Sequence, residues 1–373
     1  MHKKQLPDLW LLFTFLILLS LGLVLIFSAT PTTSLEFGDI YYYFKRQLLY
    51  VGLALFAAWV GFRMNYLHLR RWSIFILLFA IGLLLILFVP GLGRSAGGAT
   101  RWIYLGPLSF QPSELAKLAI IIFLANALVN KGSRIKDFVN GILPLLLIVF
   151  FTAAIIFLQP DLGTAIMLVL IAFSMLYAGG ARVWHLLILF FLGVEAVLAL
   201  SMNSPYRMNR LMAFVDPWKD PLGIGFNIIQ SLLAVGSGGV LGVGLGASMQ
   251  KFFYLPGQYT DFIFAILCEE TGFLGAAIVL GLFLAFSIRG IRTAVHAGDQ
   301  FGRLLSFGII VWIAGQAILN MGVVVGLLPT TGIPLPFLSF GGTSLILSSF
   351  AVGILLNISK TRINTNKNAN QHE

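Results

Sequence analysis

The sequence predicts an all-α integral membrane protein with about ten transmembrane helices. Of its 373 residues, 58% are hydrophobic and only 10% are charged, whereas soluble domains carry about 25% charged residues. Apolar runs recur along the whole chain, and a helix needs about 20 such residues to cross roughly 30 Å of hydrocarbon. A water-soluble fold is excluded because so few charges could not cover its surface.

The apolar runs predict ten helices, and the run nearest the N-terminus is the first of them. Basic residues precede that run, but it is long and no small-residue cleavage site follows it, so we expect a retained helix rather than a signal peptide. The ten helices are predicted at residues 10–28, 47–62, 73–90, 113–130, 138–157, 162–179, 186–202, 262–288, 304–326 and 339–358.

The basic residues indicate the orientation of these helices. Of 24 lysines and arginines, fifteen lie in the segments on one side, eight lie on the other side, and Lys117 lies within a helix. By the positive-inside rule the richer side, with both termini, is cytoplasmic. The formal charge of +10 therefore reports topology and does not predict nucleic-acid binding. The single cysteine, Cys268, excludes an internal disulfide and a cysteine-rich metal site.

Residues 1–373 are predicted to form a single membrane domain with one large extracellular loop, residues 202–260, between the seventh and eighth helices. The stretch 224–243 of this loop is apolar and rich in glycine, so we expect a short helix or re-entrant element that packs against the bundle. The polar tail, residues 361–373, is expected to be disordered and cytoplasmic.

Two short motifs place polar residues at helix starts. In Gln111-Pro112-Ser113-Glu114, the proline and serine suit a first helical turn, and Glu114 lies three residues before Lys117, on the same face. This pair is either structural or part of a site. In the second motif, Gln159 and Pro160 precede Asp161, which is predicted to cap the next helix and has Lys117 as a potential partner across the bundle.

Asp261 is the strongest candidate for a catalytic residue. It follows Thr260 at the end of the outer loop, where water, headgroups and apolar surface meet, and partial desolvation there raises a carboxyl pKa as a general base requires. An N-cap role explains the residue equally well. Glu269 and Glu270 lie about 12 Å or more deeper along the helix. We expect them to be buried, paired and structural, with a proton path as the alternative.

The outer mouth is predicted to be basic. Arg101, Arg210 and Lys251 are the cations expected near Asp261, where they would suit a phosphate or pyrophosphate, although basic loops also face anionic lipid. The glycines between 236 and 246 lack the βαβ unit of a dinucleotide site. The five histidines are scattered, and the sequence shows no metal cluster.

Five segments together resemble the SEDS family, over residues 7–360. They are QPSELAK from 111, QPDLGTA from 159, DPWKDPLGIGFNIIQSLLAVGSGG from 216, KFFYLPGQYTDFIFAILCEETG from 251 and GIPLPFLSFGG from 332. The KFFYLP and TDFIFA stretches are most similar to its FtsW and SpoVE branch, and less similar to RodA. Gly257 and Gln258 depart from the family pattern, in which an acidic residue is more usual after the proline.

The resemblance implies a peptidoglycan glycosyltransferase in the cytoplasmic membrane that polymerises lipid II on the outer face, for septal or spore cell-wall synthesis. It also implies undecaprenyl-pyrophosphate-linked glycan as a substrate, a class B penicillin-binding protein as partner, and a divalent cation, Mg²⁺ or Mn²⁺. The proposed catalytic aspartate of the family matches Asp261. Arg101, Glu114, Lys117, Arg210, Lys251 and Thr260 are the expected substrate-binding residues, and Gln111, Ser113, Gln159, Asp161, Glu269 and Glu270 are left as structural or unassigned.

Two other functions stay open from the sequence. The first is a flippase for the same lipid-linked precursor. Transporters tend to hold substrate at the midplane between repeated halves, whereas this sequence has no evident repeat and its best acid lies at the outer interface. The second is a non-catalytic scaffold for a penicillin-binding protein.

Overall fold

The computed structural model describes residues 6–90, 93–96, 99–105, 108–202, 205–251 and 257–361. In this part of the chain, twelve α-helices have eleven residues or more. They are α1 Leu9–Ala29, α2 Tyr42–Arg63, α3 Leu67–Ile86, α4 Pro112–Lys131, α5 Leu143–Leu158, α6 Leu162–Ala178, α7 Val183–Met202, α8 Pro205–Val215, α9 Phe226–Ser237, α10 Ile263–Val295, α11 Gln300–Val324 and α12 Gly342–Ser359.

Each of the ten predicted helices has a counterpart here, and the protein is predominantly helical. Among the described residues, seven helices are long and apolar enough to cross a membrane. They are α1, α3, α4, α5 with the π-helical turn Phe138–Ile142 before it, α10, α11 and α12. Helix α6 is shorter and α2 is less apolar, because Lys45, Arg46 and Arg63 lie within it. The count of ten spans and the sidedness of the termini stay predictions.

The connection between α3 and α4 holds a feature that the sequence did not predict within the helical fold. A small antiparallel sheet lies there, with β1 Gly93–Ala96, β2 Ala99–Leu105 and β3 Leu108–Phe110. The middle strand is β2, and its Ile103 pairs with Gly93 on one side and Phe110 on the other. Helix α3 therefore ends at Ile86 rather than residue 90.

Helix α10 is longer than predicted, because it ends at Val295 rather than at residue 288. The extension carries Arg289, whose guanidinium donates to both carboxylate oxygens of the buried Asp8. Asp8 also caps α1 by accepting from the Leu11 N–H at 3.2 Å. This ion pair fixes the start of α1 against α10.

The large loop packs against α10 as predicted for its apolar stretch. Helix α9 buries Ile228 and Ile229, and the Ser231 hydroxyl donates to the Val324 carbonyl at the end of α11. After α9 the chain runs beside a kink at Gly272, whose φ of +66° breaks the helical pattern of α10. The N–H groups of residues 243 and 244 bond to the carbonyls of residues 269 and 270. The kink thus frees carbonyls that the loop satisfies.

Glycines allow α2 and α12 to approach closely. A Cβ at Gly61 would lie 2.5 Å from the Phe350 carbonyl oxygen, and one at Gly353 would lie 2.1 Å from that of Ala58. Small residues at helix contacts let backbones pack closely in a membrane, where van der Waals contact drives association. The predicted disordered tail lies outside the described residues, apart from Thr361.

Candidate functional site

Asp261 lies in a tight turn just before α10. The turn begins at Gly257, which has a φ of +71° and whose carbonyl accepts from the N–H groups of Thr260 and Asp261 at 3.0 and 3.1 Å. The N-cap residue of α10 is Phe262, and no side chain caps this helix. The alternative that Asp261 serves as an N-cap is therefore wrong, and its carboxylate is available for other contacts.

The connection between α11 and α12, residues 325–341, wraps around this turn. Asn320 in α11 donates from its Nδ2 to the carbonyl oxygens of Asp261, at 2.7 Å, and Ile333, at 2.8 Å. The Ser339 hydroxyl donates to the Thr260 carbonyl at 2.5 Å. A Cβ at Gly332 would lie 3.6 Å from Asp261 Oδ2, so this glycine lines the carboxylate. The turn of residues 257–262 and the connection of residues 325–341, which are distant in sequence, thus form one rigid unit, the Asp261 cradle.

Two arginines approach the Asp261 carboxylate. Arg210 in α8 donates from Nη1 to the Thr330 carbonyl at 3.1 Å, and Arg101 in β2 donates from Nε to the Gln159 carbonyl at 3.2 Å. Arg101 also donates to the carbonyl of Pro160. Because backbone carbonyls hold these guanidinium groups in place, they are fixed cations rather than mobile surface charges.

Burial sets the protonation of Asp261. Desolvation raises the pKa of its carboxyl from 3.8 to about 6, opposed by the charges of Arg210 and Arg101 and assisted by that of Asp161. The Thr260 hydroxyl donates to the Gly257 carbonyl at 3.1 Å and, beside the carboxylate, also lowers this pKa. At pH 7 a group with a pKa of about 6 is about 90% ionised and still a competent base. The half-buried position predicted from the sequence therefore has the expected electrostatic effect.

Asp161 lies within electrostatic reach of Asp261 and has the capping role that the sequence suggested. Its Oδ1 accepts from the Thr164 N–H at 3.2 Å, and its Oδ2 accepts from the Gln111 amide at 3.4 Å. The Gln159 amide donates to the Leu84 carbonyl at 2.9 Å. The second motif thus joins the starts of α4 and α6 beside the arginines.

The predicted partnership of Lys117 with Asp161 is wrong, because Lys117 pairs with Glu114 instead. Its Nζ lies 2.8 Å from Glu114 Oε1 and 2.7 Å from Gln316 Oε1, and it lies 5.2 Å from the centroid of the Trp312 ring. Both charged residues are almost completely buried. Both side chains are therefore enclosed within the bundle, and the substrate-binding role that the resemblance implies for them stays a prediction.

This buried pair connects to the cradle through Gln316, whose amide donates to the Pro334 carbonyl at 2.9 Å. Ser113 is also buried, and its hydroxyl has no hydrogen-bond partner within the described segments. The roles of Gln316 and Asn320 were not predicted from the sequence. They are amides four residues apart in an apolar helix, which is the signal that could have identified them.

Lys251 contacts a buried glutamate, although the sequence predicted that it lies near Asp261. Its side chain is buried, lies 3.9 Å from Glu270 Oε1 and donates to the Gly246 carbonyl. Glu270 also accepts from Ser28, and Glu269 accepts from the Ser248 hydroxyl and the Met249 N–H. The glutamates are buried as expected, but loop groups satisfy each of them and they do not pair with each other. Lys251 thus neutralises a buried acid, because the loop folds back onto the kink of α10.

The described residues contain no group of three or more His, Cys, Asp or Glu side chains that could hold a metal ion. Two carboxylates, those of Asp161 and Asp261, do influence each other electrostatically. Mg²⁺ is commonly held by one or two carboxylates together with substrate phosphates and water. The donor set fits a cation that arrives with a phosphorylated substrate.

Comparison with known proteins gives full-length matches. Residues 9–364 match the family described as cell cycle protein, FtsW/RodA/SpoVE. The chain is similar to stage V sporulation protein E of Bacillus subtilis (strain 168), with 46% identity, covering 96% of this chain and 98% of that protein. It is 43% identical to a probable peptidoglycan glycosyltransferase FtsW of Geobacter sp. (strain M18), with the same coverage.

Two solved structures share the fold. A chain from a study described as structural coordination of polymerization and crosslinking by a peptidoglycan synthase complex matches with a TM-score of 0.81 and 32% identity, covering 96% of this chain and 99% of that one. The rod shape determining protein RodA of Thermus thermophilus matches with a TM-score of 0.71 and 29% identity, covering 96% and 98%.

Proposed function

Because this chain belongs to the FtsW/RodA/SpoVE family, we propose that it is a peptidoglycan glycosyltransferase that polymerises lipid II. Relatives at 41 to 43% identity bear the name probable peptidoglycan glycosyltransferase. The observation that carries the proposal is Asp261, a half-buried carboxyl with a pKa of about 6 within electrostatic reach of two fixed arginines. A general base beside two cations suits a reaction that deprotonates a hydroxyl and releases a pyrophosphate.

In the proposed reaction Asp261 accepts the proton of the 4-hydroxyl of the acceptor sugar. That oxygen attacks the anomeric carbon of the growing chain, so a new glycosidic bond forms while the bond from that carbon to the pyrophosphate breaks. Undecaprenyl pyrophosphate leaves with the electron pair. Arg101 and Arg210 face the developing phosphate charge, which is the charge that fixed cations stabilise. The Thr260 hydroxyl bonds to the Gly257 carbonyl and so stabilises the turn that carries Asp261.

A divalent cation, Mg²⁺ or Mn²⁺, is proposed to accompany the substrate. When bound it would neutralise charge on the leaving pyrophosphate. Asp161 and Asp261 are the residues that would hold it, together with phosphate oxygens of the substrate, because two carboxylates alone do not complete the coordination of Mg²⁺.

The site is proposed to face the outside of the cytoplasmic membrane. The positive-inside rule places the richer set of basic residues in the cytoplasm, so Asp261 and the loop of residues 202–260 lie on the opposite side. A class B penicillin-binding protein is the proposed partner, because the match with 32% identity comes from a complex described as coordinating polymerisation with crosslinking. Division and sporulation both fit the names of the relatives.

The test is polymerisation of labelled lipid II by the purified full chain, with Mg²⁺, with Mn²⁺ and with a chelator. Glycan strands formed by the parent and absent with Asp261→Asn would support the proposal. Translocation of labelled lipid II across vesicles without polymer would favour a flippase. If neither form of the chain makes polymer by itself but both stimulate a partner synthase, the result would favour a scaffold.

A further inference from the structure

A cavity of about 480 Å³ lies at the end of the bundle opposite Asp261, between the connection from α4 to α5 and that from α6 to α7. Six residues line it, namely Ser133, Lys136, Asp137, Phe138, Arg182 and His185. By the charge distribution this end is cytoplasmic. Neither the catalytic site nor the family comparison assigns a ligand to this cavity.

The lining favours an anion. Lys136 and Arg182 supply two exposed positive charges. The one acid that lines the cavity, Asp137, forms hydrogen bonds within its own turn. Its Oδ1 accepts from the Val139 N–H at 3.0 Å, and its Oδ2 accepts from the Asn140 amide at 2.8 Å. These bonds hold the pKa of Asp137 below its usual value. Asp137 therefore stays ionised, and the two cations against this one acid leave the cavity with a net positive charge.

His185 adds an unsatisfied polar atom. Its ring contacts Phe138 edge-on, with 5.3 Å between the centroids, and its Nδ1 is buried without a hydrogen-bond partner within the described segments. A buried polar atom left unpaired is costly, and a ligand that bonds to it recovers that cost. In the tautomer protonated at this nitrogen, the ring is a donor to an acidic oxygen.

Aromatic residues place the cavity at the level of lipid headgroups. Tyr177 near the end of α6 and Trp184 near the start of α7 lie on either side of Arg182 in the sequence. They are 61% and 70% exposed, as is typical of tyrosine and tryptophan at a membrane interface. From Trp184, the exposed side chains of Leu187, Ile188 and Phe191 continue along one face of α7 at helical spacing. A strip of apolar surface therefore leads from the cavity into the hydrocarbon.

We propose that this cavity binds the phosphate of an anionic phospholipid, with its acyl chains along the exposed face of α7. Basic pockets between helices on the cytoplasmic side are sites where acidic headgroups bind. A free phosphate would use the same cations but gain nothing from the apolar strip, and a zwitterionic lipid would bring a positive group toward Arg182 and Lys136. The combination of charge and strip selects a lipid with net negative charge.

The experiment measures lipid binding to the full chain, purified and stripped of lipid in detergent, by native mass spectrometry. The probes are phosphatidylglycerol, phosphatidylcholine and inorganic phosphate. The double variant K136Q/R182Q removes both cavity cations. R71Q/R134Q is the matched control, because it removes two exposed cations of the same predicted side that do not line the cavity.

We expect the parent to prefer phosphatidylglycerol, and K136Q/R182Q to weaken its binding about tenfold or more, as for the loss of charge-assisted bonds. R71Q/R134Q should bind as the parent does, and His185→Phe should weaken binding by a smaller factor. Equal losses in the two double variants would overturn the proposal, since general surface charge would then explain binding. So would equal binding of phosphatidylcholine, or displacement of the lipid by an equal concentration of inorganic phosphate.

Discussion

Replacing Asp261 by asparagine should abolish polymerisation and at the same time stabilise the folded protein. The amide has nearly the same shape but cannot accept the proton, and losing a general base typically costs about 10² to 10⁴ in rate. The stabilisation arises because the native carboxylate is desolvated. A structural residue would show the opposite sign, since its replacement would lower the melting temperature.

The size of the stabilisation follows from the pKa of Asp261. Its rise from 3.8 to about 6 corresponds to about 3 kcal/mol, at about 1.4 kcal/mol per pKa unit. A carboxyl whose pKa is higher in the folded state binds its proton more tightly there, so the penalty is absent below pH 3.8. It grows as the pH rises and is complete above about pH 6. Asparagine avoids it at every pH.

The assay compares thermal unfolding of parent and Asp261→Asn in detergent between pH 4 and pH 8. We expect the variant to melt roughly 5 °C higher at pH 8, with the difference vanishing toward pH 4. Asp216→Asn is the matched control, because Asp216 is an exposed acid of the same loop whose side chain caps no helix. A variant that melts lower than the parent, or a difference independent of pH, would refute the reasoning about desolvation. Retained polymerisation would refute the general base.

Three further substitutions test the surroundings of the site. Arg210→Gln should move the midpoint of the pH–rate profile upward, because this cation lowers the pKa of Asp261; an unchanged or lower midpoint in kcat/KM measurements would contradict it. Asn320→Ala should reduce kcat more than it changes KM, because two cradle carbonyls lose their donor. Its control is Ser231→Ala, which removes a buried bond to a carbonyl elsewhere and should leave kcat unchanged. Lys117→Met should destabilise the fold by about 3 to 5 kcal/mol, since its partner glutamate stays buried without compensation, and a double variant that also removes that acid should melt higher than the single one.

The membrane helices were predictable because the bilayer imposes a length and a composition on each of them. Asp261 was predictable for a related reason, since a carboxylate at the end of a hydrophilic loop and the start of an apolar run has a definite depth. The sheet of β1 to β3 was not predictable, because its strands are only four, seven and three residues long. No alternation long enough to distinguish strands from a loop appears in them.

The error at Lys251 has a different origin. Its position in the sequence, ten residues before Asp261, suggested that both face the same mouth. Which acid it meets depends on the fold of the glycine-rich segment against the kink at Gly272, and that contact is tertiary. Asn320 was missed because its spacing from Gln316 does not show which groups the amides contact. Its importance comes from the two carbonyls that other segments bring to it.

A comparison of the buried acids distinguishes structural from chemical roles. Glu269 accepts from the Ser248 hydroxyl and two backbone N–H groups, and Glu270 accepts from Ser28 and lies beside Lys251. Each carboxylate is thus engaged by groups that belong to the folded loop and to α1, which is typical of a structural role.

The Asp261 carboxylate is surrounded differently. Arg210 and Arg101 influence it through their charges but bond to backbone carbonyls, and the Thr260 hydroxyl donates to the Gly257 carbonyl. The protein anchors the Asp261 backbone through Asn320 and leaves the carboxylate oxygens with spare capacity. A carboxylate that is rigidly placed, desolvated and incompletely bonded is able to accept a proton from a substrate, whereas the two glutamates bond to groups within the protein. The assignment of the base to Asp261 rather than to Glu269 or Glu270 therefore depends on the bonding of each carboxylate as much as on its depth.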